Sequence, residues 1–195
     1  GGAIEVEFAR DSKGHCIIMI SPDSAGAPAK FTMNGGTLTR LNPIDSNVYG
    51  NNGCISDNYF VPFEGGERPQ ITINGGTINQ LNMAGDATRR INGDATLTVN
   101  GGIIGQLAVN NVMGHAIVNY NGGQIASASK LIDVKVQEFV TDGTATLNVS
   151  PDLSAPLLAL AFDTVNYVGK TPATTEPAKT TEPAKTTEPA KTTAP

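Results

Sequence analysis

Tryptophan is absent from this chain, and only 5% of its 195 residues are aromatic. A compact β-sandwich relies on large aromatic anchors, so the scarcity argues against one. Positive charge is thin as well: 13 Lys and Arg stand against 18 Asp and Glu, and the pair Arg89-Arg90 is isolated. Phosphate neutralisation needs a basic surface, so nucleic acid is not an expected partner. No stretch approaches the roughly 20 apolar residues of a membrane span. The longest apolar run, Leu157 to Phe162, reads as a strand or a terminal cap. A signal peptide is also missing. The chain opens with Gly1-Gly2-Ala3-Ile4 and the alternating Glu5-Val6-Glu7-Phe8, as a segment from inside a larger polypeptide would.

Cysteine is scarce too, and its two copies, Cys16 and Cys54, admit two readings. One is a disulfide whose loop would contribute about 3–4 kcal/mol in the chain-entropy account. The other is a pair of thiols acting as small hydrophobes. Thiol titration of the unfolded, unreduced protein separates them: a bridge leaves nothing to titrate, and two free thiols dispose of it.

Glycine is plentiful, at 22 residues. Together with Val, Ile and Leu it suits a narrow aliphatic core closed by many tight turns. Self-similarity then settles the organisation. Four segments align: Phe31-Thr-Met-Asn-Gly-Gly-Thr-Leu-Thr-Arg-Leu41, Ile71-Thr-Ile-Asn-Gly-Gly-Thr-Ile-Asn-Gln-Leu81, Leu97-Thr-Val-Asn-Gly-Gly-Ile-Ile-Gly-Gln-Leu107 and Val118-Asn-Tyr-Asn-Gly-Gly-Gln-Ile-Ala-Ser-Ala128. Leu147-Asn-Val-Ser-Pro-Asp152 keeps the strand and replaces the turn, and Ile18-Met-Ile-Ser-Pro-Asp23 ends the same way. Gly1-Gly2-Ala3-Ile4 looks like the back half of a preceding turn.

Before each turn, apolar and polar residues alternate with the period of a half-buried strand. Phe31/Met33, Ile71/Ile73, Leu97/Val99 and Val118/Tyr120 are expected inside, and Thr32, Thr72, Thr98 and Asn119 outside. Asn-Gly-Gly supplies residues that accept positive φ at a sharp corner. After it, Leu38, Ile78, Ile104 and Ile125 resume the inward face, followed three residues later by Leu41, Leu81, Leu107 and Ala128. Such a unit cannot bury its own apolar edge and must stack on copies of itself. Asn-Gly is also a hairpin signal, so a meander competes with parallel coils. The turns lie 40, 26 and 21 residues apart, an irregularity that coils absorb as loops at one corner. The expectation is therefore an all-β parallel β-helix (β-solenoid) over residues 1–170, in which Asn34, Asn74, Asn100 and Asn121 occupy equivalent corners and stack through their amides. Residues 171–195 repeat Thr-Thr-Glu-Pro-Ala-Lys and hold nothing apolar larger than Ala, so they read as a disordered linker.

The strings Ile71-Thr-Ile-Asn-Gly-Gly-Thr-Ile78, Asn47-Val-Tyr-Gly-Asn-Asn-Gly53 and Ala95-Thr-Leu-Thr-Val-Asn-Gly-Gly102 resemble the glycine-rich "GGTI" β-helix modules of secreted or wall-attached proteins of gut Firmicutes. The tail is similar to linkers between modules of those proteins. The resemblance covers residues 31–128 and the tail. It implies a right-handed parallel β-helix in an extracellular, secreted or cell-wall-attached setting, and no catalytic set. The chain departs from the pattern in lacking a second Gly-rich corner in most repeats, and it holds no wall-sorting signal that would indicate how it is attached.

Chemistry-bearing residues are few. Asp86, Arg89, Arg90 and Asp94 form the one acidic–basic loop that a polysaccharide lyase or glycoside hydrolase could use. The plainer account is a solvated loop with surface ion pairs. No cofactor is expected; calcium could sit among those carboxylates, but nothing in the sequence supports it. His15 and His115 each adjoin a Gly, and neither belongs to a metal-ligand spacing. Thr32, Thr72 and Thr98, with Thr37, Thr39 and Thr77, could present a hydroxyl ladder to ice or crystalline glycan, although Thr is an ordinary outward strand residue. Tyr49, Tyr59, Phe60 and Phe63 gather in the insertion between the first two full repeats, where exposed rings could stack on sugars or instead cap a satellite core. The leading reading is a non-catalytic surface module, a spacer or an adhesin-like binder of glycan or host-matrix components, joined to other modules of its polypeptide through the linker. The alternative is a carbohydrate-active β-helix enzyme.

Overall fold

The computed structural model describes residues 1–7, 16–20, 29–41, 53–56, 69–83, 94–109, 115–130 and 143–169. Within them lie thirteen strands and one short 3-10 helix. In chain order the strands are β1 (Ala3–Val6), β2 (Cys16–Met19), β3 (Lys30–Met33), β4 (Thr37–Arg40), β5 (Gly53–Ser56), β6 (Gln70–Ile73) and β7 (Thr77–Asn82). They continue with β8 (Asp94–Val99), β9 (Ile103–Val109), β10 (His115–Tyr120), β11 (Gln124–Lys130), β12 (Thr144–Val149) and β13 (Thr164–Tyr167). Six form one sheet in the order β13-β12-β10-β8-β6-β3, and the other seven form a second. Every pairing between described strands is parallel. A hairpin meander would pair its neighbours antiparallel, so that topology is set aside.

Register follows the repeats. Phe31 pairs with Ile71, Ile71 with Leu97 and Leu97 with Val118, while Met33, Ile73, Val99 and Tyr120 form the next column. Alternation turns both columns inward, and Ile71, Ile73, Leu97, Val99 and Val118 are fully buried. Across each corner, Leu38, Ile78, Ile104 and Ile125 close the core from the second sheet. Fully burying such an aliphatic side chain is worth about 1.5–3 kcal/mol. Tyr120 tucks its hydroxyl back to donate to the Gly123 carbonyl at 3.0 Å.

The three residues of each corner do separate jobs. Asn74 Nδ2 donates to Asn34 Oδ1 at 2.8 Å, Asn100 to Asn74 at 2.8 Å and Asn121 to Asn100 at 3.0 Å. Positive φ belongs to the second glycine alone: Gly36, Gly76, Gly102 and Gly123 lie between 75° and 93°. The first glycine is required by proximity. A Cβ on Gly75, Gly101 or Gly122 would stand 2.9, 2.6 or 2.5 Å from the asparagine carbonyl oxygen of the preceding corner.

One inward assignment is corrected. Leu41 is 57% exposed, whereas Leu81 and Leu107 are fully buried and Ala128 is half-buried. The strand that pairs with the far half of β7 is β5, with Ile55 opposite Leu81. Ile55 is fully buried there and holds the place expected for Leu41. The handover occurs at Asn79, whose side chain accepts from the Arg40 N–H at 2.9 Å and donates to the Arg40 carbonyl at 2.6 Å. It satisfies the backbone of β4 as that strand ends, and Leu41 falls beyond it.

At the other extremity, Ser150 continues the asparagine position by donating its N–H to the Tyr120 carbonyl, but Pro151 stands where Gly122 donates to Val99. Proline has no N–H to give, and the corner is abandoned. The run from Leu157 to Phe162 forms a 3-10 helix at Leu158–Ala161 instead of a strand, packed against β11 with Leu158 and Ala161 buried. The similar ending at Ile18-Met-Ile belongs to a different layer, since β2 pairs with β5 in the seven-stranded sheet.

Gly76→Ala combines a φ of 93° with a Cβ 2.5 Å from the Gly36 carbonyl oxygen. It is expected to cost about 2 kcal/mol or more in urea unfolding. Gly35→Ala, with open space around the added carbon, is expected to change stability by less than about 0.5 kcal/mol. Equal effects would contradict this division of labour.

Candidate functional site

The outer face of the six-stranded sheet is the most regular polar surface among the described residues. Because the inward positions of each strand are apolar, the intervening ones form columns that run across all the strands. One column is Thr32, Thr72, Thr98, Asn119, Asn148 and Asn166, and its neighbour is Lys30, Gln70, Thr96, Ile117, Thr146 and Thr164. A third, shorter column is Asp94, His115 and Thr144.

The expected threonine ladder thus exists over three strands and then changes chemistry. Asn148 Nδ2 donates to Asn119 Oδ1 at 2.9 Å, Asn166 to Asn148 at 3.0 Å, and Asn119 reaches Thr98 Oγ1 at 3.4 Å. This second amide ladder was missed in the sequence because Asn148 and Asn166 lie in degenerate repeats without the glycine corner. Aligning Thr-Leu-Asn-Val with Ile-Val-Asn-Tyr would have found it. Threonines Thr37 and Thr77 pair with each other in the second sheet and are followed there by Ile103, which ends that hydroxyl run.

Asp94, His115 and Thr144 lie side by side in register, an order that invites comparison with an acid–imidazole–hydroxyl triad. The hydrogen bonds decide against it. His115 Nδ1 contacts Thr144 Oγ1, and Nε2 contacts Thr146 Oγ1 at 2.9 Å. Both ring nitrogens are engaged by hydroxyls, leaving none for Asp94 to orient. The imidazole braces two threonines of β12 instead of activating one. No group of three or more His, Cys, Asp or Glu among the described residues could hold a metal ion.

Of the acidic–basic loop, only Asp94 is described: it is the exposed first residue of β8. Asp86, Arg89 and Arg90 lie outside the described residues, as do His15 and the aromatic set Tyr49, Tyr59, Phe60 and Phe63. The two stretches bearing these aromatics flank β5, the strand that takes over from β4 beside β7. Cys16 lies opposite Gly53, so the two cysteines occupy adjacent strands one step apart in register.

No family model, curated protein or solved structure matches the chain.

Asn148 sits between two amide partners and Asn166 has one. Asn148→Ala is therefore expected to lower stability by about 1 kcal/mol, and Asn166→Ala by about half as much, in urea unfolding. A larger loss from Asn166→Ala would show that the ladder does not contribute link by link.

Proposed function

We propose that the chain is a right-handed parallel β-solenoid of the "GGTI" kind, serving as a non-catalytic extracellular surface module. In this reading it spaces neighbouring modules and carries adhesin-like binding of glycan or matrix components. One observation supports it above others: polar side chains at the corner and on the flat face hydrogen-bond along the stack, each to its counterpart in the next repeat. Side chains committed to each other in this way stiffen a scaffold. Among the described residues they leave few donors or nucleophiles directed at a substrate. Each added repeat lengthens the stack by one strand spacing, about 4.8 Å, which suits a spacer. Residues 171–195, rich in Pro and Thr, would extend the reach by at most about 3.1 Å per residue in polyproline-II geometry.

Binding is assigned to Tyr49, Tyr59, Phe60 and Phe63. An insertion between repeats is the place where ring faces need not serve the stacking pattern, and aromatic faces are the usual platform for sugar rings. A panel of immobilised glycans and matrix proteins tests this. Tyr49→Ala and Tyr59→Ala are each expected to weaken capture by about tenfold, equivalent to about 1.4 kcal/mol, with Tm unchanged. Undiminished capture by both variants would remove the insertion as the site. Cleavage of uronate or neutral glycans, lost in Asp86→Ala and Arg89→Ala, would replace this reading with the enzymatic one.

A further inference from the structure

The two sheets do not end level at the start of the chain. In the second sheet β1 stacks on β4, and Thr37 donates to the Gly2 carbonyl at 2.9 Å. In the six-stranded sheet β3 is the last strand, and among the described residues no strand pairs with its outer edge. The step between them is a recess of about 330 Å³, lined by Phe31 and Met33, by Gly2, Ala3 and Ile4, and by Ile18 of β2. Ile4 is 49% exposed, although its register partner Leu38 is buried.

Three independent features describe what would fill this step. The first is the backbone. Ala29 and Met33 give their carbonyls to Gln70 and Asn74 of β6. Because a parallel ladder alternates sides, the N–H and C=O of Lys30 and Thr32 point into the recess. The second is the amide ladder. Asn34 accepts from Asn74, but its own Nδ2 has no acceptor among the described residues. The third is Gly35. At its equivalents Gly75, Gly101 and Gly122, a Cβ would lie within 2.9 Å of the asparagine carbonyl from the preceding corner. At Gly35 nothing lies within 4 Å. Gly35 has the residue type needed under such a carbonyl, and among the described residues no carbonyl lies above it.

We propose that this recess is a strand-acceptor site. Its occupant is an extended segment of pattern apolar-polar-apolar-Asn, running parallel to β3 and entering the corner in cis through the amino group of Gly1. Cis entry follows from the corner itself: a Cβ on Gly36 would stand 2.7 Å from the Gly2 carbonyl, the same relation Gly76 has to Gly36. Gly2 and Gly1 therefore hold the places of the two corner glycines, and the residue joined to Gly1 falls over Asn34. Continuity with the stack defines the chemistry, since Ile71-Thr72-Ile73-Asn74 covers the next edge in this way. The inference rests on the solenoid reading and adds a specific site to it.

The test places a copy of Gln70–Asn74 (Gln-Ile-Thr-Ile-Asn) ahead of Gly1 in the full chain, beside an equally long Gln-Asp-Thr-Asp-Asn extension. The apolar extension is expected to raise Tm by about 2–4 °C and to slow exchange of the Thr32 amide by about tenfold or more. The acidic one should do neither. Gly35→Ala, near neutral without the extension, should abolish the gain with it. Thr32→Pro, tolerated at an open edge, should do the same. No gain from the apolar extension, or a gain that survives Gly35→Ala, overturns the site. Equal protection of Thr32 by the free peptide, or a gain that appears only with dimerisation in sedimentation, overturns cis entry. A parent protein without a β-sheet circular-dichroism spectrum overturns the solenoid reading instead.

Discussion

The constraint on which this structure depends is the close approach of one corner to the next. Parallel strands stack at about 4.8 Å, and at the corner that spacing brings the carbonyl of one asparagine against the α-carbon of the following repeat's first glycine. Only a residue without Cβ fits. Once the corners are seated, register follows: a slip by one residue would drive a side chain into a carbonyl and turn every aliphatic outward. The amide ladder Asn34–Asn74–Asn100–Asn121 runs along the same corner and aligns the same atoms. Core, face and corner are thus fixed by one geometric relation repeated down the chain.

The departures from regularity obey the same logic. Gly105 lies over the Asn79 carbonyl, where a Cβ would come within 2.7 Å, so the bend in the second sheet is also a place of close backbone contact. The register is the same on both sides, from Ile78–Ile104 to Gln80–Gln106, with Asn79 and Gly105 left out of the paired ladder. Below that bend β4 and β5 share the work of one strand, and Asn79 closes the seam with its side-chain amide. A side-chain amide offers both an N–H donor and a carbonyl acceptor, as a peptide group does, so it can stand in for the strand residue that the chain does not supply.

Strand, corner and inward face were legible because they recur: Ile71, Leu97 and Val118 announce themselves through their neighbours in the alignment. Leu41 was misplaced for the same reason. Its position in the repeat matched Leu81, but position in the repeat says nothing about where an insertion takes the chain away, and the replacing residue, Ile55, lies in a segment without the motif. Asn148 and Asn166 stand outside any glycine-centred motif, and their ladder depends only on strand register. The loss of the corner at Pro151 is visible in the sequence, but the 3-10 helix at Leu158–Ala161 and its placement against β11 are a tertiary matter that no local pattern encodes.

Function is harder to read for a physical reason. In an enzyme, polar groups are held out of mutual contact so that they remain directed at a substrate, and that arrangement leaves a signature of unlike residues converging from distant segments. Here like residues converge on like, asparagine on asparagine, with His115 absorbed between Thr144 and Thr146. Such a surface consumes its own hydrogen-bonding capacity. In the proposed reading, recognition chemistry falls where the repeat is broken, in the insertions that flank β5 and at the step above β3. These are the places where sequence is free of the stacking constraint or where the constraint is left unfilled. In that reading the regular part of the molecule defines those two locations and contributes rigidity.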